Sequence, residues 1–319
     1  MFKKIIYSLF PCLFVLMNIG FVNINKDVDI NTALLKYGQY LFYSNNISYN
    51  RTKSCATCHA PELAFTDGYR RSQGIYADEV RHNTPSLLNL NTYATLNRAN
   101  PQLLNIRDQI MLPLFKQNPP ELGALHSDDY FQNRFKEDKL AITLASSAFP
   151  DDSNPLVWKN ALDAIAYFVA SLQSRNSAYD DYLKGDENAL TLDEKEGMTL
   201  FKSEEVGCMT CHGGQDFNQS SKDSNSNFYK TSYITDNLGC YETTKNDKDK
   251  HKFRTPSLRN VAITAPYFHD GKVTSLKDCL HDAHRELDTL EKTYIIKFLY
   301  TLTDTSYLSN PNFNYFSSN

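Results

Sequence analysis

Apolar residues recur at three- and four-residue spacing along most of this chain. Over residues 31–44, Leu34, Tyr37 and Leu41 share one face with Leu35 and Phe42 beside them, the pattern of an amphipathic helix. Gly38 interrupts it, and close packing against a neighbour is a reason to keep a glycine there. Residues 101–112 repeat the spacing with Leu103, Leu104, Ile106, Ile110 and Met111. The clearest stripe runs over 156–172, through Leu156, Ala161, Leu162, Ile165, Phe168, Val169 and Leu172. Thr191 and Glu194 form a capping-box pattern that opens a helix towards Phe201. A last helix carries Leu290, Tyr294, Ile295, Phe298 and Leu299. Strand alternation is weak throughout, and the polar stretch 214–252 reads as a long loop. A mainly α fold follows.

The pattern also repeats on a larger scale. Cys55-Ala56-Thr57-Cys58-His59 recurs 153 residues later as Cys208-Met209-Thr210-Cys211-His212. Upstream, Gly38 to Phe42 is echoed by Gly197 to Phe201. Two domains of similar plan are expected, 25–186 and 187–319, with the boundary near Lys184-Gly185-Asp186. The length of 319 residues agrees, at roughly 150 residues per domain.

The N-terminus follows a different pattern. Lys3 and Lys4 precede a charge-free apolar run from Ile5 to Val22, and polar residues then end it. This is the layout of a signal peptide over residues 1–24, implying export to the periplasm. The alternative is an uncleaved anchor, weakened by Pro11, Asn18 and Gly20.

The charge of 33 basic against 37 acidic residues sums to −4, so a strongly basic nucleic-acid binder is excluded as the default. Removing the leader takes away two lysines and no acid.

Seven cysteines are too few for a disulfide-built scaffold. Their placement is informative. C-x-x-C-H reads as a c-type heme attachment site: two thiols reach the porphyrin vinyl groups and the adjacent imidazole meets the iron. One chance copy is expected about 0.004 times in a chain of this composition, and here there are two. A four-Cys zinc knot needs no histidine after each pair, and a thioredoxin-type site needs one copy in a βαβ context. Cys55, Cys58, Cys208 and Cys211 are therefore read as thioether anchors, with His59 and His212 as proximal ligands. Cys12 lies in the leader. Cys240 and Cys279 remain, either as a disulfide or as two free thiols.

With these motifs in hand, the chain resembles the bacterial di-heme cytochrome c peroxidase superfamily, which includes the MauG and MbnH-like proteins. The resemblance runs from about residue 32 to about 303. It is carried by Ser54 to His59, Ala64 to Gly68, Arg81 to Asn89, Gln109 to Phe115 with Pro120 to Gly123, and Phe253 to Gly271. Pro113 to Phe115 with Glu121 to Gly123, and Ser177 to Asp186, look nearest to the MbnH-like branch.

The resemblance implies two cytochrome c-like domains, a peroxide-reactive heme in the first and an electron-transfer heme in the second. It implies Glu121 as the distal carboxylate with Gln109 its neighbour, and a calcium ion between the domains held by Asn83, Thr264 and Pro266. A carboxylate within reach of bound peroxide can move a proton from the inner to the outer oxygen. Oxygen donors of this kind suit calcium.

Three departures matter. The family's axial Met or Tyr, fourteen residues after the histidine of His-Asp-Gly, is here Ala283. His284 and His281 flank it, and His284, about 100° away on a helix, is chosen as sixth ligand of the second iron. The inter-heme tryptophan position is Ala99, and the single tryptophan, Trp158, is assigned to core packing. Transfer between the hemes then needs another route, through Tyr93 or directly through the protein. No histidine stands where some family members carry a distal ligand, which implies an open first heme, and His82 is read as structural.

The leading expectation is reduction of hydrogen peroxide to water by electrons from a small donor, a cytochrome c or a copper protein. The alternative is MauG- or MbnH-like oxidation of a Trp or Tyr in a partner protein. A non-catalytic electron-transfer cytochrome is a third, opposed by Glu121. A homodimer is left open.

Overall fold

The computed structural model describes residues 29–219, 228–231, 233, 235–280 and 285–314. The leader with Cys12, and His281, Ala283 and His284, lie outside the described residues.

The chain is mostly helical. The first half holds α1 (Ile30–Tyr43), α2 (Cys55–Cys58), α3 (Ile106–Phe115), α4 (Asp128–Phe135), α5 (Lys139–Ala148) and α6 (Trp158–Ser171). The second half holds α7 (Ala178–Leu183), α8 (Leu192–Lys202), α9 (Cys208–Cys211), α10 (Tyr241–Thr244), α11 (Leu276–Cys279) and α12 (Thr289–Tyr300). Strands β1 (Phe228–Lys230) and β2 (Lys252–Arg254) pair antiparallel, with Phe228 opposite Arg254. Part of the stretch expected as a long loop thus carries short elements. No described helix is long and apolar enough to cross a membrane.

Both halves are built on the same crossing. A Cβ added to Gly38 of α1 would lie 2.0 Å from the Ala164 carbonyl oxygen and 2.8 Å from Phe168 Cβ, on α6. At Gly197 of α8, the same atom would lie 1.9 Å from the Tyr294 carbonyl oxygen and 3.0 Å from Phe298 Cβ, on α12. Each glycine lets two helix backbones touch where any side chain would hold them apart. The packing reason expected for Gly38 is therefore real and occurs twice.

Two hydrophobic clusters result. One gathers Tyr37, Leu41, Phe42, Phe131, Phe135, Trp158, Leu162 and Phe168, and the other Tyr179, Phe201, Phe217, Ile295, Phe298 and Leu299. Trp158 is in the first core as expected, its ring 4.5 Å from Phe131 and its indole N–H donating to the Leu125 carbonyl at 2.9 Å.

Helix starts follow local side-chain chemistry. Thr191 and Glu194 close their capping box, with Thr191 N donating to Glu194 Oε2 at 2.7 Å. The helix expected over 101–112 begins only at Ile106, capped by Asn105. Before it, Asn97 Oδ1 accepts from the amides of Ala99 and Asn100, and Asn100 Oδ1 from Gln102. These side-chain bonds compete with the helical ladder and hold the segment in turns.

The halves interlock. Asn89 and Asn260 occupy equivalent places, both left-handed with φ 58° and 61°. Their amides donate to Leu172 and Leu302 carbonyls at 2.9 and 3.0 Å. Ser174 Oγ joins them by donating to Asp304 Oδ2 and accepting from Asn260 Nδ2. Arg259 is buried between Asp180, which it meets with two nitrogens at 2.9 Å, and Asp216 at 2.6 Å. The chain end then returns to the first core. Gln39 Nε2 donates to the Pro311 and Asn314 carbonyls, and Tyr307 Oη to the Pro61 carbonyl.

Candidate heme and peroxide site

Each Cys-x-x-Cys-His segment is a single helical turn whose histidine stands at the C-terminal cap. His59 Nδ1 lies 2.8 Å from the Phe65 carbonyl, and His212 Nδ1 2.9 Å from the Phe217 carbonyl. Phe65 and Phe217 are both left-handed, with φ 57° and 52°, uncommon for an aromatic residue. In each copy the backbone is bent so that its carbonyl reaches the imidazole. A proton held on Nδ1 by that carbonyl leaves Nε2 with the lone pair a metal needs.

The four motif cysteines are in no disulfide, and Cys55 and Cys208 are largely withdrawn from solvent. Among the described residues, no three His, Cys, Asp or Glu side chains gather as a metal-binding group.

The surroundings fit a porphyrin held by these thiols. Helix α3 carries Ile106, Ile110, Met111, Leu112, Leu114 and Phe115, yet only Leu114 is buried. Ile106, Ile110, Met111 and Phe115 pack from the rim onto the same core as Cys55 and Ala56, and Leu112 faces outward. Arg254, 5% exposed, has Nε and Nη1 buried without an acceptor. That is the unmet need an acidic prosthetic group supplies.

Glu121 sits on the loop after α3. Leu122 N donates to the Pro113 carbonyl at 3.0 Å, Ala124 N to Leu114 at 2.8 Å, and Tyr49 N to Leu122 at 2.9 Å. Gly74 closes the loop from the other side, where a Cβ would lie 2.0 Å from the Pro120 carbonyl oxygen. The Glu121 carboxylate is half-buried and makes no hydrogen bond among the described residues. Burial raises its pKa, partly offset by Lys116, and its charge acts on the Cys58 thiol. The structure thus brings Glu121 to the Cys55–His59 segment. Gln109 is on α3, one turn before Pro113, and its Oε1 accepts from Asn97 Nδ2 at 3.0 Å.

Asn83, Thr264 and Pro266 lie along the seam between the halves. Asn83 N donates to the His269 carbonyl at 2.9 Å, and its Nδ2 to Tyr69 at 3.0 Å, which turns Oδ1 away from that partner. Pro266 is buried beside Gly271, whose Cβ would meet the Arg70 carbonyl at 2.3 Å. The Thr264 and Pro266 carbonyls accept no hydrogen bond among the described residues.

His82 Nε2 lies 2.8 Å from Asn237 Nδ2, and burial with the Arg98 and Arg81 charges pushes its pKa down to about 3. That is a structural histidine. Cys240 and Cys279 are free thiols, so no disulfide joins them.

Arg254 stacks on the Tyr93 ring with Arg98 beside it, an arrangement that apolar spacing does not signal. Arg254 holds the place in Arg-Thr-Pro-Ser-Leu-Arg-Asn that Asn83 holds in Asn-Thr-Pro-Ser-Leu-Leu-Asn, a signal present in the duplication.

Known proteins give the same picture. The model of the family described as "Di-haem cytochrome c peroxidase" matches residues 32–188. Cytochrome c551 peroxidase of Nitrosomonas europaea is 29% identical over 289 residues, 86% of this chain and 80% of that protein. Methylamine utilization protein MauG of Methylorubrum extorquens is 29% identical over 246 residues, 76% of this chain and 66% of that protein. The crystal structure of a MauG-like protein associated with microbial copper homeostasis matches with TM-score 0.80 and 32% identity, covering 88% of this chain and 92% of that one. This chain belongs to the di-heme cytochrome c peroxidase family, among its MauG-like members.

Proposed function

We propose that the protein reduces hydrogen peroxide to water with electrons from a small redox protein, a cytochrome c or a copper protein. The observation that carries this reading is Glu121, held beside the Cys55–His59 segment with an unpartnered carboxylate. Cys55, Cys58 and His59, and Cys208, Cys211 and His212, would each hold a c-type heme, which would supply the redox chemistry of peroxide reduction and electron entry. Glu121 takes a proton from one peroxide oxygen and returns it to the other. Burial suits it to that exchange by bringing its pKa towards neutrality. Gln109, held by Asn97, orients the peroxide.

The finer assignments belong to the same reading. Asn83 Oδ1 and the Thr264 and Pro266 carbonyls hold a calcium ion at the seam, oxygen donors left without other partners. His284 is the sixth ligand of the second iron. The chain is exported by residues 1–24 and works in the periplasm as two domains, 25–186 and 187–319.

Glu121→Gln tests the reading. Peroxide-dependent donor oxidation is lost while both hemes remain, and an unchanged rate removes Glu121 from the mechanism. The likeness to a MauG-like protein favours a second reading, oxidation of a Trp or Tyr in a partner protein. Turnover with a reduced donor cytochrome separates the two.

A further inference from the structure

Arg254 is 5% exposed and short of partners. Its backbone amide donates to the Arg98 carbonyl at 2.8 Å, and its guanidinium carbon lies 3.8 Å from the centre of the Tyr93 ring. The ring takes one face of the guanidinium and leaves the in-plane N–H groups unserved. Nε and Nη1 are buried without an acceptor. Tyr93 cannot turn to help, since its phenol oxygen accepts from Ser257 N at 2.5 Å. Arg98 lies close by and spends one nitrogen on the Asn83 carbonyl at 3.2 Å. No described carboxylate pairs with either arginine. Two neighbouring guanidinium groups, one of them buried with open donors, are a costly arrangement unless an anion completes it.

The position narrows the anion. Arg254 stands two residues before Pro256, as Asn83 stands two before Pro85, and the Pro85 backbone touches the His59 ring. Arg98 ties the two places together through its carbonyl and its guanidinium. The open donors thus lie on the seam, next to the elements that flank the proximal histidines.

We propose that Arg254 and Arg98 form a carboxylate receptor at the domain seam, and that its ligand is a propionate side chain of a covalently held porphyrin. This rests on the di-heme reading and adds the residues that fix how a porphyrin edge is seated. A guanidinium suits the task because it keeps its charge when buried and offers fixed donors.

The test compares the diferric holoprotein with Arg254→Gln and Arg254→Lys. Heme content comes first: two c-hemes per chain in every form keeps the di-heme reading whatever follows, and fewer in the wild type fails that reading instead. With two hemes present, Arg254→Gln shifts the propionate bending mode in resonance Raman and lowers the midpoint potential of the same heme, because a cation is lost beside it. Arg254→Lys, which keeps the charge and loses the fork, gives a smaller drop and guards against misfolding of the first variant. Added acetate leaves the wild-type melting temperature unchanged. If the Raman mode and both potentials stay put in both variants, the receptor is overturned. If they stay put and acetate raises the melting temperature of the wild type but not of Arg254→Gln, the ligand is a free carboxylate and the propionate assignment is overturned.

Discussion

His59 Nδ1 and the Phe65 carbonyl oxygen lie 2.8 Å apart, and the second half repeats the pair with His212 and Phe217 at 2.9 Å. A left-handed aromatic residue in both places shows that the backbone, and not only the motif, is duplicated. An imidazole fixed in this tautomer presents Nε2 to a metal. Each copy therefore fixes its imidazole independently of the other.

Replacement of the thiols tests that independence. Cys58→Ser with Cys55→Ser removes one covalent heme from the chain, and Cys208→Ser with Cys211→Ser removes the other. Pyridine hemochrome titration checks this, reading two c-hemes in the wild type and one in each double variant. Retention of both hemes in either variant contradicts the assignment.

The raised pKa of Glu121 gives a pH dependence with a definite sign. As a base the carboxylate acts only when ionised, so kcat/KM for peroxide falls as pH drops through the raised pKa, above the usual 4.5. Stability runs the other way. Burial favours the protonated acid in the folded state, so its contribution is fully present below 4.5 and lost as pH rises through the folded value. Glu121→Gln should thus melt no lower than wild type at neutral pH, with its relative gain shrinking in acid. A variant that melts lower at neutral pH would show that the ionised carboxylate has a partner in the loaded protein.

The two glycine crossings should fail alike. Gly38→Ala and Gly197→Ala each force a methyl group to within about 2 Å of a facing backbone carbonyl. Each should cost at least the ~1–3 kcal/mol usual for overpacking, read as a lower thermal midpoint. A neutral result at either site contradicts close contact of the helix backbones.

Arg259 is a buried hub of the second half, pinning α7 through Asp180 and the segment after α9 through Asp216. Arg259→Met leaves Asp180 without its cation and Asp216 with Arg175 alone, and should destabilise by about 3–5 kcal/mol in denaturant unfolding. An effect below about 1 kcal/mol would place this cluster among ion pairs of little consequence.

Much of this was legible in the sequence because it is local. The spacing of Leu34, Tyr37 and Leu41, the Thr191–Glu194 box and the Cys-x-x-Cys-His copies each fit within a few turns of chain. Even Gly38 announced a close contact, although not that Ala164 makes it. What was hidden depends on distant pieces meeting. The late start of α3 follows from Asn97 and Asn100 capturing nearby amides, which no apolar period reports. The return of Pro311 and Asn314 to Gln39 leaves no signal in hydrophobic spacing, since backbone carbonyls make the contact. The meeting of Arg254 with Tyr93 and Arg98 likewise joins residues more than 150 positions apart.

The most direct test of the whole account adds hydrogen peroxide to the purified di-heme protein with and without reduced cytochrome c. Catalytic oxidation of the donor is expected, two molecules for each peroxide consumed, with peroxide loss collapsing when the donor is left out. Donor oxidation no faster than that of the Glu121→Gln variant would contradict it.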